Sequence, residues 1–390
     1  MEQTKFSAGK GKAIFLIVTA LGAAASAVAL MMDARQFAFS YLTAFCFFLS
    51  ISLGGLAFVL LQHLTRAGWS VVVRRIAENI TANLMWMGVL IIPLLAVGIH
   101  TLFHWSHAEA VAHDPIMQAK ASYFNLIFFI SRTVVFFAIW AILAWWLLKK
   151  SVVQDTSGDK AITLSLQKWS TLGIILYAAS ETFFSFDWIM SLNPHWFSTI
   201  FGVYYFSCSA VAIYSMIIMV AYLLQKKGYV KDAITVEHYH DLGKLLFGFN
   251  AFWAYIAYCQ FLLIWYGNLG EETPFFHLRA EGSWKTLSVA MIFIHFVIPF
   301  FYFISRIVKR NLLALFVVAV WLFFANYLDI YWLIMPNINT KGMHITLGDV
   351  GSFLFIGGLF FYFLLKRMEK SSLIPQKDPR LPESLKFTNA

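Results

Sequence analysis

FAFSYLTAFCFFLSISLGGLAFVLLQHL, residues 37–64, runs for 28 residues without a Lys, Arg, Asp or Glu. At 1.5 Å per residue, a helix of that length exceeds the roughly 30 Å hydrocarbon core of a bilayer. Nine further apolar stretches surround it, at residues 13–31, 82–103, 123–148, 171–190, 197–224, 245–266, 284–304, 312–334 and 351–365. Most approach or exceed the roughly 20 residues that a spanning helix needs. The pattern predicts an all-α, polytopic membrane protein with ten transmembrane helices over residues 13–365. Residues 1–12 then form a cytoplasmic N-terminus, and 366–390 a cytoplasmic tail.

Composition agrees. The chain is 60% hydrophobic and 13% charged, about half the charge of a soluble domain, and its mean hydropathy is +0.71. The 40 Phe, 14 Trp and 16 Tyr are expected in large part at lipid and interfacial positions. The net charge of +9 is spread over many short loops. It is therefore read as loop charge of a membrane protein, not as a nucleic-acid surface.

The distribution of Lys and Arg orients the chain. With the N-terminus inside, 23 of the 29 basic residues fall on inner segments, including Lys5, Lys10, Lys12, Arg74, Arg75 and the tail from Lys366. Five, Arg35, Lys120, Arg279, Lys285 and Lys341, fall outside, and Arg132 lies within a span. This bias places both termini in the cytoplasm. The first stretch follows a basic start and is long enough to span, so it is read as a retained helix. Small residues at i,i+4, such as Gly22/Ser26 and Cys46/Ser50/Gly54, predict close helix packing. Pro93 and Pro299 predict kinks. The tail from Ser371, with Pro375, Pro379 and Pro382, reads as an exposed extension that could dock on a partner.

Ionisable residues within the spans are the functional candidates, because charge at membrane depth is costly. They are Arg132, Glu181, Asp187, His295 and Asp329. Helical rise puts Arg132 and Glu181 each roughly 15 Å from the outer ends of their spans, so they are expected to meet near the midplane. Asp187 and Asp329 fall only roughly 6 Å below the outer surface. The functional reading is a proton path, or a quinone-headgroup site, that opens outward. The bland reading is one buried Arg–Glu pair and two shallow carboxylates that reach water. Asp187 lies six positions beyond Glu181, about 120° round the helix, and should face a different neighbour. Asn250, Tyr255, Tyr258, Gln260, Asn326, Tyr327 and Tyr331 add polar company.

The other histidines and the cysteines point away from bound metal. A di-haem centre needs four histidines at depth, but only His295 and, near the inner end, His63 approach that. Cys46, Cys208 and Cys259 have no paired spacing and read as helix-packing residues. Glu237-His238-Tyr239-His240-Asp241 reads as the hydrogen-bonded start of a helix in preference to a metal site. No phosphate-binding loop, dinucleotide fingerprint or catalytic triad stands in a supporting context.

Four linked motifs carry a resemblance. They are FDWIMSLNPHWFSTIFG at 186–202, YHDLGKLLF at 239–247, QFLLIWYGN at 260–268 with Glu271 and Glu272, and HFVIPF at 295–300 with Ser305-Arg306 and Lys309-Arg310-Asn311. Together they resemble the NrfD-type membrane subunits of bacterial alternative complex III, a quinol:cytochrome c oxidoreductase, over roughly residues 12–365. A more distant likeness is to the membrane subunit of polysulfide reductase. The wording is closer to the ActF-type than to the ActC-type paralogue.

The resemblance implies ten helices, largely two four-helix bundles, in a bacterial inner membrane and with no cofactor on this chain. It implies a paralogous membrane subunit, an iron–sulfur subunit and haem c subunits as partners, and admits a terminal oxidase. Haem c and iron–sulfur clusters would sit on those partners, with quinol oxidised near the outer face. Under it Arg132, Glu181, Asp187, His295 and Asp329 become proton-path candidates. Asp187 and His195 are quinone-site candidates. Two other readings stand beside it: a stand-alone secondary transporter, and a purely structural membrane anchor.

Overall fold

A computed structural model describes residues 6–389, and among these every regular element is helical. Lys5, counted in the basic start, lies outside the described residues. The main helices are α1 (Gly11–Met32), α2 (Ala34–Leu64), α3 (Val71–Leu90), α4 (Leu94–Leu102), α5 (Leu126–Ser157) and α6 (Lys160–Trp188). They continue as α7 (Phe201–Lys226), α8 (Val236–Gly267), α9 (Gly282–Ile304), α10 (Leu312–Ile334) and α11 (Leu347–Met368). Eight helices are long and apolar enough to cross a membrane, and α3 with α4 makes a ninth if that bent pair is one span. The chain is thus a polytopic, all-helical membrane protein. α6 is 29 residues long. It falls short of the same hydropathy because it carries Glu181, Asp187 and several hydroxyls.

The span expected at 82–103 differs most. Its helix begins at Val71 and turns by 40° between α3 and α4. The break, residues 91–93, ends at Pro93, and the next five residues, Leu94–Gly98, form a π turn. Pro299 differs, since α9 runs on through it as one span. The π turn Ile292–Val297 lies just before it, where the missing N–H and the ring disturb the preceding turn.

α2 sits at the centre: 94% of its apolar window is buried, against 17% for α1. A helix apolar on all faces is a core helix, and α2 packs on α3, α6, α7, α10 and α11. α7, nearly as buried, packs on α2, α6, α8 and α10. The small residues act as expected. A Cβ on Gly54 would lie 2.1 Å from the Ser209 carbonyl oxygen, and one on Gly22 2.3 Å from the Phe355 nitrogen. Backbones there touch, as small-residue stripes in lipid allow. Many of the phenylalanines face inward rather than lipid, with Phe39, Phe45, Phe47, Phe48 and Phe58 almost fully buried.

The tail is not an exposed extension. Leu373 and Ile374 are buried, and residues Leu381–Leu385 form a short helix against α3. Ser384 Oγ donates to the Trp69 carbonyl, and His238 Nε2 contacts the Ser384 carbonyl at 3.1 Å. Charge explains the docking. Arg74 and Arg75, expected in a loop, are buried on α3 and need anions. Glu78, Asp155 and the tail's Asp378 supply them. His238 also caps α8, its Nδ1 accepting from the Thr235 N–H at 3.0 Å. The His238–His240 stretch is thus a hydrogen-bonded helix start.

Candidate functional site

α5 and α6 pack on each other, and two indoles set their register. Trp140 Nε1 donates to Ser180 Oγ at 2.8 Å, and Trp188 Nε1 to Thr133 Oγ1 at 3.1 Å. Arg132 is therefore level with Asp187, not with Glu181. Its Nε donates to Oδ2 of Asp187 at 2.8 Å and its Nη2 to Oδ1 at 3.1 Å. Nη1 donates to the Tyr123 carbonyl at 3.0 Å, and the guanidinium lies over the Tyr123 and Phe128 rings. The expected Arg132–Glu181 pair does not form, because Glu181 stands six residues, about 9 Å, further along α6. Asp187 does not reach water either; its exposure is 0%. This bidentate, aromatic-shielded pair is held too tightly to exchange partners cheaply.

Glu181 meets a neutral partner. It is buried, and its Oε1 accepts from Ser209 Oγ of α7 at 3.0 Å. Glu181 and Asp187 thus face different helices, as the 120° offset predicts.

Asp329, also buried, meets three neutral donors. Tyr204 OH donates to Oδ1 at 2.7 Å, while Trp253 Nε1 and Cys208 Sγ donate to Oδ2 at 2.8 and 3.1 Å. Its expected contact with water near the outer surface is absent because α7 and α8 cover it. Cys208 is therefore more than a packing residue. Tyr204 and Cys208 are i,i+4 on α7, a spacing visible in the sequence. Nothing in the sequence pairs them with Asp329.

His295 sits on the π turn of α9 with its ring 3.6 Å, centroid to centroid, from that of Trp253. Both of its nitrogens are buried without a hydrogen-bond partner, as are the amides of Asn250 and Asn326. The two asparagines each lie three residues before a member of the Trp253–Asp329 bond, on helices that run the same way. The unpartnered polar groups of Asn250 and Asn326 thus lie on the helices that hold Trp253 and Asp329, and those of His295 lie beside Trp253.

His195 is half-exposed and pairs with Asp114, Nε2 to Oδ2 at 2.5 Å. Desolvation acts to raise the Asp114 pKa, but bonds from His195 and the Met117 and Ile116 N–H groups hold it below the ordinary carboxylate range. Asp187 is committed to Arg132 and His195 to Asp114, so the proposed quinone pair shares no partner. The nearby cavity of about 270 Å³ is lined by Lys120, Tyr123, Phe186 and Phe197 among others, and by neither candidate.

A larger cavity, about 610 Å³, lies among α8, α9, α10 and the short helix Pro274–Arg279, with Asp329 and Tyr204 in its wall. Arg279, read from sequence as an outer-loop cation, is buried in that wall. Among the described residues, no group of three or more His, Cys, Asp or Glu is placed to hold a metal ion. No protein-family model matches the chain, and comparison with characterised proteins finds no match.

Proposed function

We propose that the chain is a cofactor-free membrane subunit of a quinol-oxidising respiratory complex of the alternative complex III kind, with a proton route along α7. The observation that carries this is the pair of buried carboxyls, Glu181 and Asp329, on either side of α7. Each is held only by neutral donors. A carboxyl without a counter-ion can take up and release a proton without breaking an ion pair, and intramembrane carboxyls mark proton paths more often than anchors. The Arg132–Asp187 pair belongs to the scaffold of this route, and the unpartnered buried groups of His295, Asn250 and Asn326 are its candidate continuation from Asp329.

The motifs that resemble NrfD-type subunits support the assignment to a complex, and the ActF-type wording supports a role in proton conduction over a main quinol site. Ten spans follow if α6 and the bent pair α3–α4 each cross the membrane. α2 and α7 share α6 and α10 as neighbours, so they form one central pair about which the other helices pack, and the two-bundle expectation rests on the resemblance alone. Lys and Arg bias supports both ends on the cytoplasmic side, and the resemblance alone implies a bacterial inner membrane.

Isolation of the chain from its native membrane in mild detergent, with mass spectrometry of what accompanies it, tests the reading. A second NrfD-type protein with iron–sulfur and haem c subunits is expected; a chain that purifies intact and alone overturns it. The π turns in α4 and α9 favour a second reading, since transporters use interrupted helices. Substrate uptake by the purified chain in liposomes would support that reading.

A further inference from the structure

The 610 Å³ cavity is almost wholly apolar, and two of its three charged wall residues are cations, Arg279 and Lys285. Arg279 is 2% exposed. Its three hydrogen bonds go to the carbonyls of Trp332, Phe275 and Leu333, at 3.1, 2.9 and 2.7 Å, and its guanidinium stacks on Phe275. Among the described residues it meets no carboxylate, so a buried positive charge is left to carbonyl dipoles. A guanidinium has five N–H donors, and three are used. Lys285 is exposed, near the start of α9. The one anion in the wall, Asp329, has both oxygens taken by Tyr204, Cys208 and Trp253. The free charge facing the cavity is thus positive. Its side toward the lipid is bounded by exposed Tyr258, Val289 and Ile292.

We infer that this cavity binds an anionic phospholipid. The phosphate sits between Lys285 and Arg279, and one acyl chain lies along Ala257, Val289, Ile292 and Phe296. Basic pockets between membrane helices recognise such headgroups, and the apolar remainder suits a chain and nothing more polar. The inference does not rest on the respiratory reading, although Asp329 of the proposed route lies in the same wall.

Native mass spectrometry of the full chain, supplied with equal phosphatidylglycerol and phosphatidylcholine, tests it. Preferential retention of phosphatidylglycerol is expected. Lys285→Gln, at an exposed position, should reduce that preference about fivefold, the effect of one Lys at an anionic surface. Val289→Trp, also exposed, should fill the cavity and remove one bound lipid of either class. Equal retention of the two lipids, or retention unchanged in both variants, overturns the proposal. So does a neutral ring compound recovered from the wild-type chain and lost in Val289→Trp.

Discussion

Glu181 and Asp329 accept hydrogen bonds from consecutive residues of α7, Ser209 and Cys208, and are thereby placed on two sides of one central helix. A thiol and a hydroxyl one residue apart separate the two buried carboxyls. Ser209 also packs its backbone on Gly54, so α7 is fixed against α2 where the carboxyls approach it. A rigid helix between two titratable groups fits a relay better than a lipid anchor, which has no use for either charge.

The Arg132–Asp187 pair is predicted to be structural. Arg132→Gln leaves a carboxylate buried without its cation and should cost about 3 kcal/mol. The double change Arg132→Met, Asp187→Leu should recover most of that. Thermal unfolding in detergent reads both, and equal loss in the single and double variants would contradict the assignment.

Helix contact at Gly54 leaves no room for a side chain. Gly54→Val should lower the yield of folded protein sharply, because its Cβ would meet the Ser209 carbonyl. Gly248→Ala, with nothing within 4 Å of the new Cβ, should leave the midpoint unchanged or raise it slightly. Size-exclusion profiles and unfolding midpoints check the contrast.

The C-terminal tail is predicted to hold the inner end of the bundle. Asp378→Asn leaves buried Arg74 with Glu78 alone and should destabilise the fold by about 2 kcal/mol, the loss of one charge-assisted hydrogen bond. Truncation after Lys370 should do at least as much. Protease sensitivity of residues 371–389 in the Asp378→Asn chain is the direct readout; wild-type resistance would show that the tail does not depend on this pair.

Acid should release the N-terminal segment. Glu369 follows α11, and bonds from Lys12 and from the Ala8 N–H hold its carboxyl below the ordinary range, against a smaller rise from desolvation. A carboxyl whose folded pKa is depressed stabilises the folded state above its unfolded value. That contribution is lost as pH falls through the folded value. Cleavage by pepsin within residues 6–12 should therefore rise between pH 5 and about pH 3. The Glu369→Gln chain should already be cleaved at pH 5. A segment equally protected at both values in the two chains would contradict this.

The residue pattern made the membrane character legible, because helix length and apolar composition answer directly to bilayer thickness. The close approaches at Gly22 and Gly54 and the bend at Pro93 were legible for the same kind of local reason, while at Pro299 the helix shows a π turn in place of a break. Partner choice was not. Counting depth from span ends paired Arg132 with Glu181, whereas the Trp188–Thr133 bond sets a register that gives Arg132 to Asp187. Arg279 and the Arg74–Arg75 pair looked like loop charge, since sequence shows a basic residue near a span end but not the carbonyls or carboxylates that bury it. The tail looked exposed by composition, and its docking rests on long-range contacts of Asp378 and Ser384 that no local pattern encodes.

Proton translocation by the complex carrying Glu181→Gln and Asp329→Asn, each change alone, tests the central claim most directly. Each amide keeps the shape and an acceptor oxygen, so assembly should survive. Turnover-linked proton movement across vesicle membranes should fall about a hundredfold, as expected when a proton-transfer group is lost. Wild-type proton movement in both assembled variants would contradict a route along α7 and leave the chain a scaffold.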